Sequence, residues 1–146
     1  MDETQARIIA CDVLRGTEEA MLNRDAETFA SYFALPQKLE TLNGPKPIGS
    51  RDELIETFYE VVDFQRKRGI DGMVRRCVEA SFKSEDLIEY VYESRFFSGA
   101  RELSGRRTSY AMIQREGDVW KIVYTLYGVE SLSDLAAGPD GPLRAA

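Results

Sequence analysis

Seven tyrosines, 19 basic residues, 25 acidic residues and no histidine define the chemistry open to this chain of 146 residues. Without an imidazole, a Ser-His-Asp or Cys-His nucleophilic centre is excluded, as is every histidine-containing zinc motif. Acidic residues are plentiful, but none falls into a tight ligand spacing such as an EF-hand loop, so no metal site and no cofactor are expected. Cys11 and Cys77 are the only cysteines, with no C-x-x-C between them. That usage fits two reduced, buried thiols better than a disulfide framework. Phenol and guanidinium chemistry remain. A phenol donates a hydrogen bond, packs against flat organic molecules and can act as an acid toward an enolate. A guanidinium grips a carboxylate through two parallel hydrogen bonds.

Such groups act only where a fold turns them toward one place. Residues 4–22 carry Ile9, Val13 and Ala20 at helical spacing, with Gly16 as a local weakness. Asp25 can cap a second helix, AETFASYF, whose Phe29, Tyr32 and Phe33 recur at offsets of three and four. Pro36 stops it, QKLETLN reads as a short strand, and GPKPIG turns the chain back. Ser50 and Glu53 form a capping box for a third helix with Leu54, Ile55, Phe58, Val61 and Val62 on its apolar face; Gly69 ends it.

Beyond Gly69 the period changes from 3.6 to 2. MVRRCVEASF, LIEYVYESRFF, RRTSYAMIQR and VWKIVYTLYG read as four strands, with Glu116-Gly117-Asp118 as a hairpin turn. Helices followed by consecutive strands predict an α+β domain over residues 1–130 with a largely antiparallel sheet. Residues 131–146 read as a tail whose Leu132 and Leu135 are free to dock on a neighbouring surface.

Alternation assigns the strand faces. The inward set is expected to be Val74, Arg76, Val78, Ala80 and Phe82; then Ile88, Tyr90, Tyr92, Ser94 and Phe96; then Thr108, Tyr110 and Met112; then Trp120, Ile122, Tyr124 and Leu126. One bulge in a strand inverts its remaining residues. An inward Arg76 needs a partner, because an unpaired buried guanidinium is costly. Two partners are open: Glu56 or Glu60 on a covering helix, or the anionic group of a bound molecule. The tyrosines likewise serve as core filling or as ligand contacts. Val91, Phe97, Ala111, Ile113, Val119, Val123 and Thr125 fall outside the inward set, and an apolar outer face of that size predicts sheet-to-sheet homodimerisation.

The segments MLNRDAETFASYF, LETLNGPKPIGSRDELIETFY and GDVWKIVYTLY, in that order and spacing, resemble the nuclear transport factor 2-like superfamily over residues 4–128. That group includes SnoaL-type polyketide cyclases, ketosteroid isomerase and scytalone dehydratase. The resemblance implies a cystatin-like cone: three N-terminal helices packed on a strongly curved, mostly antiparallel sheet that encloses a pocket, with frequent dimerisation through the sheet. It does not carry the known chemistries over. The isomerase's general-base aspartate corresponds to about Thr41 here, its helix-one tyrosine to about Glu18, and the cyclases and dehydratase rely on histidine. Fold alone does not fix activity.

The candidate ligand-binding set is therefore Arg76, Tyr32, Tyr59, Tyr90, Tyr92, Tyr110, Trp120 and Tyr124, with no catalytic residue named. The expected partner is a small hydrophobic or aromatic molecule, anionic if Arg76 anchors it. A lyase, isomerase or cyclase acting on a polyketide- or steroid-like substrate, and a protein-interaction adaptor, are the alternatives. A net charge of −6 argues against nucleic acid. No apolar run has the roughly 20 residues of a membrane helix, and the acidic N-terminus lacks a signal-peptide pattern; a cytoplasmic location is expected.

Overall fold

The structure is a computed structural model that describes residues 1–41, 44–103 and 107–128. The expected tail with Leu132 and Leu135, Arg106, and Leu42 and Asn43 at the end of the expected QKLETLN strand lie outside the described residues. Helix α1 (Glu3–Leu22) starts where the Asp2 carboxylate accepts the Gln5 N–H, and it buries Ala6, Ala10, Val13, Leu14, Thr17 and Ala20 in one stripe. Helix α2 (Ala26–Ser31) is capped by Asp25. It is shorter than its periodicity predicts, because Tyr32 closes it and strand β1 (Phe33–Thr41) begins at once. Helix α3 (Arg51–Lys67) opens on Ser50 Oγ accepting the Glu53 N–H, and the chain leaves it through Gly69 at φ +78°. It buries Leu54, Phe58, Val62 and Gln65.

Gly16 looks like a flaw in α1, but it is a notch. A Cβ there would lie 1.9 Å from Tyr32 Oη and 2.2 Å from its Cζ. Gly16→Ala is therefore expected to lower stability in the native background, although alanine favours a helix by about 1 kcal/mol. In a Tyr32→Ala background the same change is expected to raise stability. Urea midpoints of the four proteins report the reversal of sign, and an equal effect in both backgrounds rules out the notch.

Strands β2 (Gly44–Pro45), β3 (Gly72–Ser84), β4 (Leu87–Ser98), β5 (Arg101–Glu102), β6 (Arg107–Glu116) and β7 (Val119–Tyr127) complete the chain. The sheet runs β2-β1-β7-β6-β4-β3, with β5 on β4. All pairings are antiparallel except β1 with β7, which is parallel. The sheet curves without closing, and its concave face is covered by the helices, with α1 over β3. The main core gathers Ala6, Ala10, Val13, Leu14, Cys77, Ile88, Tyr90, Tyr92, Ile113 and Ile122. Both cysteines are free thiols.

Two single-residue insertions decide which side chains face that core. Cys77 pairs with Tyr92 and Glu79 with Val91, so Val78 is an extra residue in β3. Met112 pairs with Tyr124 and Ile113 with Ile122, so Val123 is an extra residue in β7. Each insertion reverses the facing of the residues on one side of it.

Candidate functional site

Between the concave face and the helices lies a cavity of about 90 Å³. Its wall is mainly apolar, with Leu14, Met21, Phe29, Phe33, Leu39, Phe58 and Phe96 among its residues. Tyr90, Tyr92, Tyr127, Gln37, Gln65, Ser94 and Thr125 add polar atoms. Arg75 is the one cation among the described lining residues, and no described carboxylate lines the cavity.

Arg75, not Arg76, points inward. Before the Val78 insertion the inner parity of β3 is odd (Met73, Arg75, Cys77); after it, Ala80 and Phe82 take over. The expectation for Val74, Arg76 and Val78 is thereby reversed, and that for Ala80 and Phe82 holds. The Arg76 side chain is 67% exposed and pairs across the strands with Glu93 at 3.3 Å, not with Glu56 or Glu60 on α3. Arg75 is held by α1: Nη2 donates to Leu14 O at 2.8 Å and to Thr17 Oγ1. Its guanidinium carbon lies 5.4 Å from the Tyr92 ring centroid, a cation–π contact. Its Nε is buried with no acceptor. Glu18 is the nearby acid: its Oε1 accepts the Arg75 backbone N–H, and burial pushes its carboxyl up while the charge of Arg75 opposes the shift. Among the described residues no carboxylate hydrogen-bonds the Arg75 guanidinium.

On β4 the expected alternation of Ile88, Tyr90, Tyr92, Ser94 and Phe96 is present without interruption. On β6 it is inverted: Ser109, Ala111 and Ile113 are buried, while Thr108, Tyr110 and Met112 face out. The reason is volume. Ala111 and Ser109 sit opposite Tyr90 and Tyr92, where another large side chain would overpack the core. On β7 Ile122 is inward as expected, whereas past Val123 the inner residues are Thr125 and Tyr127, not Tyr124 and Leu126.

Tyr110 and Tyr124 are thus on the outer face, their rings 6.1 Å apart. Tyr110 donates to Glu89 Oε1 at 2.7 Å, and Tyr124 to Glu40 Oε2 at 2.5 Å. Burial and the Glu89 carboxylate push the Tyr110 phenol up to about 12, and the Glu40 carboxylate raises Tyr124. The outer apolar face also changes membership: Ala111, Ile113 and Thr125 are interior, while Val91, Tyr110, Met112, Tyr124 and Leu126 are the residues that face outward.

The other three expected residues lie apart from the cavity wall. Tyr32 fills the Gly16 notch, Tyr59 lies under the Arg24 guanidinium at 4.5 Å, and Trp120 packs edge-on to Phe82. Within the wall, burial pushes the phenols of Tyr90, Tyr92 and Tyr127 up, with Arg75 opposing the shift in each case and Ser109 also opposing it at Tyr92. These hydroxyls stay protonated at neutral pH and serve as hydrogen-bonding groups, not as bases.

No family model matches the sequence, and no curated protein matches it. Solved structures do match. A cystatin-like domain of unknown function from Nostoc punctiforme aligns over 87% of this chain and 77% of its own at 17% identity and a TM-score of 0.67. The fold is the NTF2-like cone. An NTF-2-like protein of unknown function from Shewanella oneidensis covers 82% of this chain and 95% of its own, at 16% identity and a TM-score of 0.64. A ketosteroid isomerase-like protein from Erwinia carotovora covers 86% and 96%, at 12% identity and 0.60. At these identities the likeness is one of NTF2-like architecture, and what the cavity does rests on its own residues.

Proposed function

We propose that this NTF2-like chain binds a small, mainly apolar molecule with one anionic group, placing the anion on Arg75 and the apolar body among Phe29, Phe33, Phe58 and Tyr92. The carrying observation is a guanidinium on a largely apolar wall that, among the described residues, forms no ion pair with a carboxylate, the nearby Glu18 bonding its backbone N–H instead. Hydrogen bonds to an ionised partner contribute about 1.5–3 kcal/mol, and the low dielectric inside the cone strengthens them. Among the described residues the lining supplies no group that takes a proton at neutral pH, which supports binding over lyase, isomerase or cyclase chemistry.

Benzoate and benzamide share a ring and differ in charge, which makes them the simplest pair of probes. Calorimetric titration is expected to give at least tenfold tighter binding of benzoate. Equal affinities, or binding of neither, overturn the proposal.

A homodimer through the outer sheet face belongs to the same proposal. Leu126 and Val74 are exposed large apolar residues on that face, and the Tyr110–Glu89 and Tyr124–Glu40 bonds fix two aromatic rings in place on it, Tyr110 directly across from Leu126. Sedimentation velocity at micromolar concentration is expected to give twice the 16.5 kDa chain mass. A purely monomeric species removes the homodimer and leaves the sheet open to a different protein.

A further inference from the structure

The cavity carries a second polar feature, on the same concave face as Arg75 but toward the other end of the strand order. Between Phe33↔Ile122 and Lys38↔Tyr124 the ladder of β1 with β7 is interrupted, and Gln37 lies inside that gap. Its backbone is satisfied, because its N–H donates to Ile48 O at 2.7 Å and its C=O accepts from Ile48 N–H at 3.2 Å. Its side chain is 1% exposed. Both hydrogens of Nε2 are committed to main-chain carbonyls, those of Ala34 (2.7 Å) and Ile122.

Carbonyls accept only, so these two contacts settle which end of the amide is nitrogen. The oxygen end, Oε1, is left buried with no donor, although Gln37 lines the cavity. A buried acceptor without a donor is destabilising and is uncommon in folded proteins. Two buried, incompletely satisfied groups therefore border one apolar space, a guanidinium on β3 and an amide oxygen on β1. In the order β1-β7-β6-β4-β3 they are separated by four strand spacings, about 19 Å measured along the curved sheet and less across it.

We infer that the ligand is bifunctional: an elongated, apolar acid whose far end carries a hydrogen-bond donor, such as a hydroxyl, accepted by Gln37 Oε1. This rests on the binding reading above and narrows it to hydroxy acids. Apolar walls tolerate a hydroxyl poorly unless an acceptor waits for it. Gln37 supplies that acceptor without offering a free N–H, so a terminal carbonyl or ether finds nothing to bind there.

The test is a series of straight-chain carboxylates of three to seven carbons, each compared with its ω-hydroxy and ω-methoxy forms by calorimetry or competition. At one chain length the hydroxyl is expected to tighten binding about fivefold over the parent acid, the equivalent of one net hydrogen bond, and the methoxy form to weaken it. In Gln37→Met the ratio of hydroxy-acid to parent-acid affinity, measured on the same protein, is expected to fall to one. Should that variant fail to fold, the series on the native protein decides alone. A hydroxyl that is neutral or unfavourable at every length overturns the inference, as does a gain that survives Gln37→Met. Repeating the series with the primary amides separates the two readings. A hydroxyl gain without any preference for acid over amide sinks the Arg75 anchor only, and the converse sinks the Gln37 acceptor only.

Discussion

Arg75→Met is expected to weaken benzoate binding by about 10- to 150-fold, the equivalent of losing one charge-assisted hydrogen bond, while Arg76→Met leaves it within a factor of two. The two arginines are adjacent in sequence, and both pair with residues of β4 in the ladder. They differ in what they face. Arg76 lies in solvent beside Glu93, where an ion pair contributes little. Arg75 faces the cavity against Tyr92, anchored by two acceptors of α1. The substitution carries a second signature. Methionine fills similar volume with no charge to desolvate, and replacing poorly paired buried ions by apolar groups is often neutral or stabilising. The ligand-free Arg75→Met protein is therefore expected to unfold at an equal or higher urea concentration than the native one. Lost binding with retained or improved stability identifies a residue kept for its ligand. A marked loss of stability with benzoate affinity intact assigns Arg75 to the scaffold.

The largest effect on stability is expected from Phe96→Ala, at about 3–5 kcal/mol. Phe96 is 1% exposed, packs with Ile70 and Met73, and lines the cavity at the β3–β4 end. A loss of that size is a large part of the roughly 5–15 kcal/mol that holds a domain folded. Denaturant unfolding is expected to show a lower midpoint at an unchanged slope. Because the new void joins an existing one, the variant is also expected to accept a larger acid. Millimolar 2-naphthoate is expected to recover part of its lost midpoint by mass action and to leave the native midpoint nearly unmoved. A loss below about 1 kcal/mol shows that the wall closes over the missing ring.

The architecture was legible because it is written redundantly. Ser50 with Glu53, Gly69, the change of period after α3 and the Gly117 turn each mark a boundary on their own, and they agree. The identity of the cavity wall was less accessible. Tyr90 and Tyr92 were found because β4 alternates without a break. Arg75 and Tyr127 were missed because Val78 and Val123 are insertions, and a valine in a strand carries no mark of being one residue too many. Tyr110 and Met112 were misassigned because alternation separates two faces of β6 without saying which is inner, whereas the partners Tyr90 and Tyr92 require Ala111 and Ser109 beside them. Gln37 shares the period-two face of Leu39 in QKLETLN, but nothing in that alternation says that its amide oxygen lacks a donor; that comes from a gap between strands distant in sequence.

The paired arginines and the insertion beside them have a joint evolutionary effect. Sliding a strand by one position exchanges its two faces, which for most cavity walls would swap a key group for an unrelated neighbour. Here the neighbour of a guanidinium is another guanidinium. Were the bulge ironed out with Val78 kept in the ladder, Arg76 would turn inward in place of Arg75, so the positive charge at that spot tolerates a one-residue register slip that few single-residue anchors would survive.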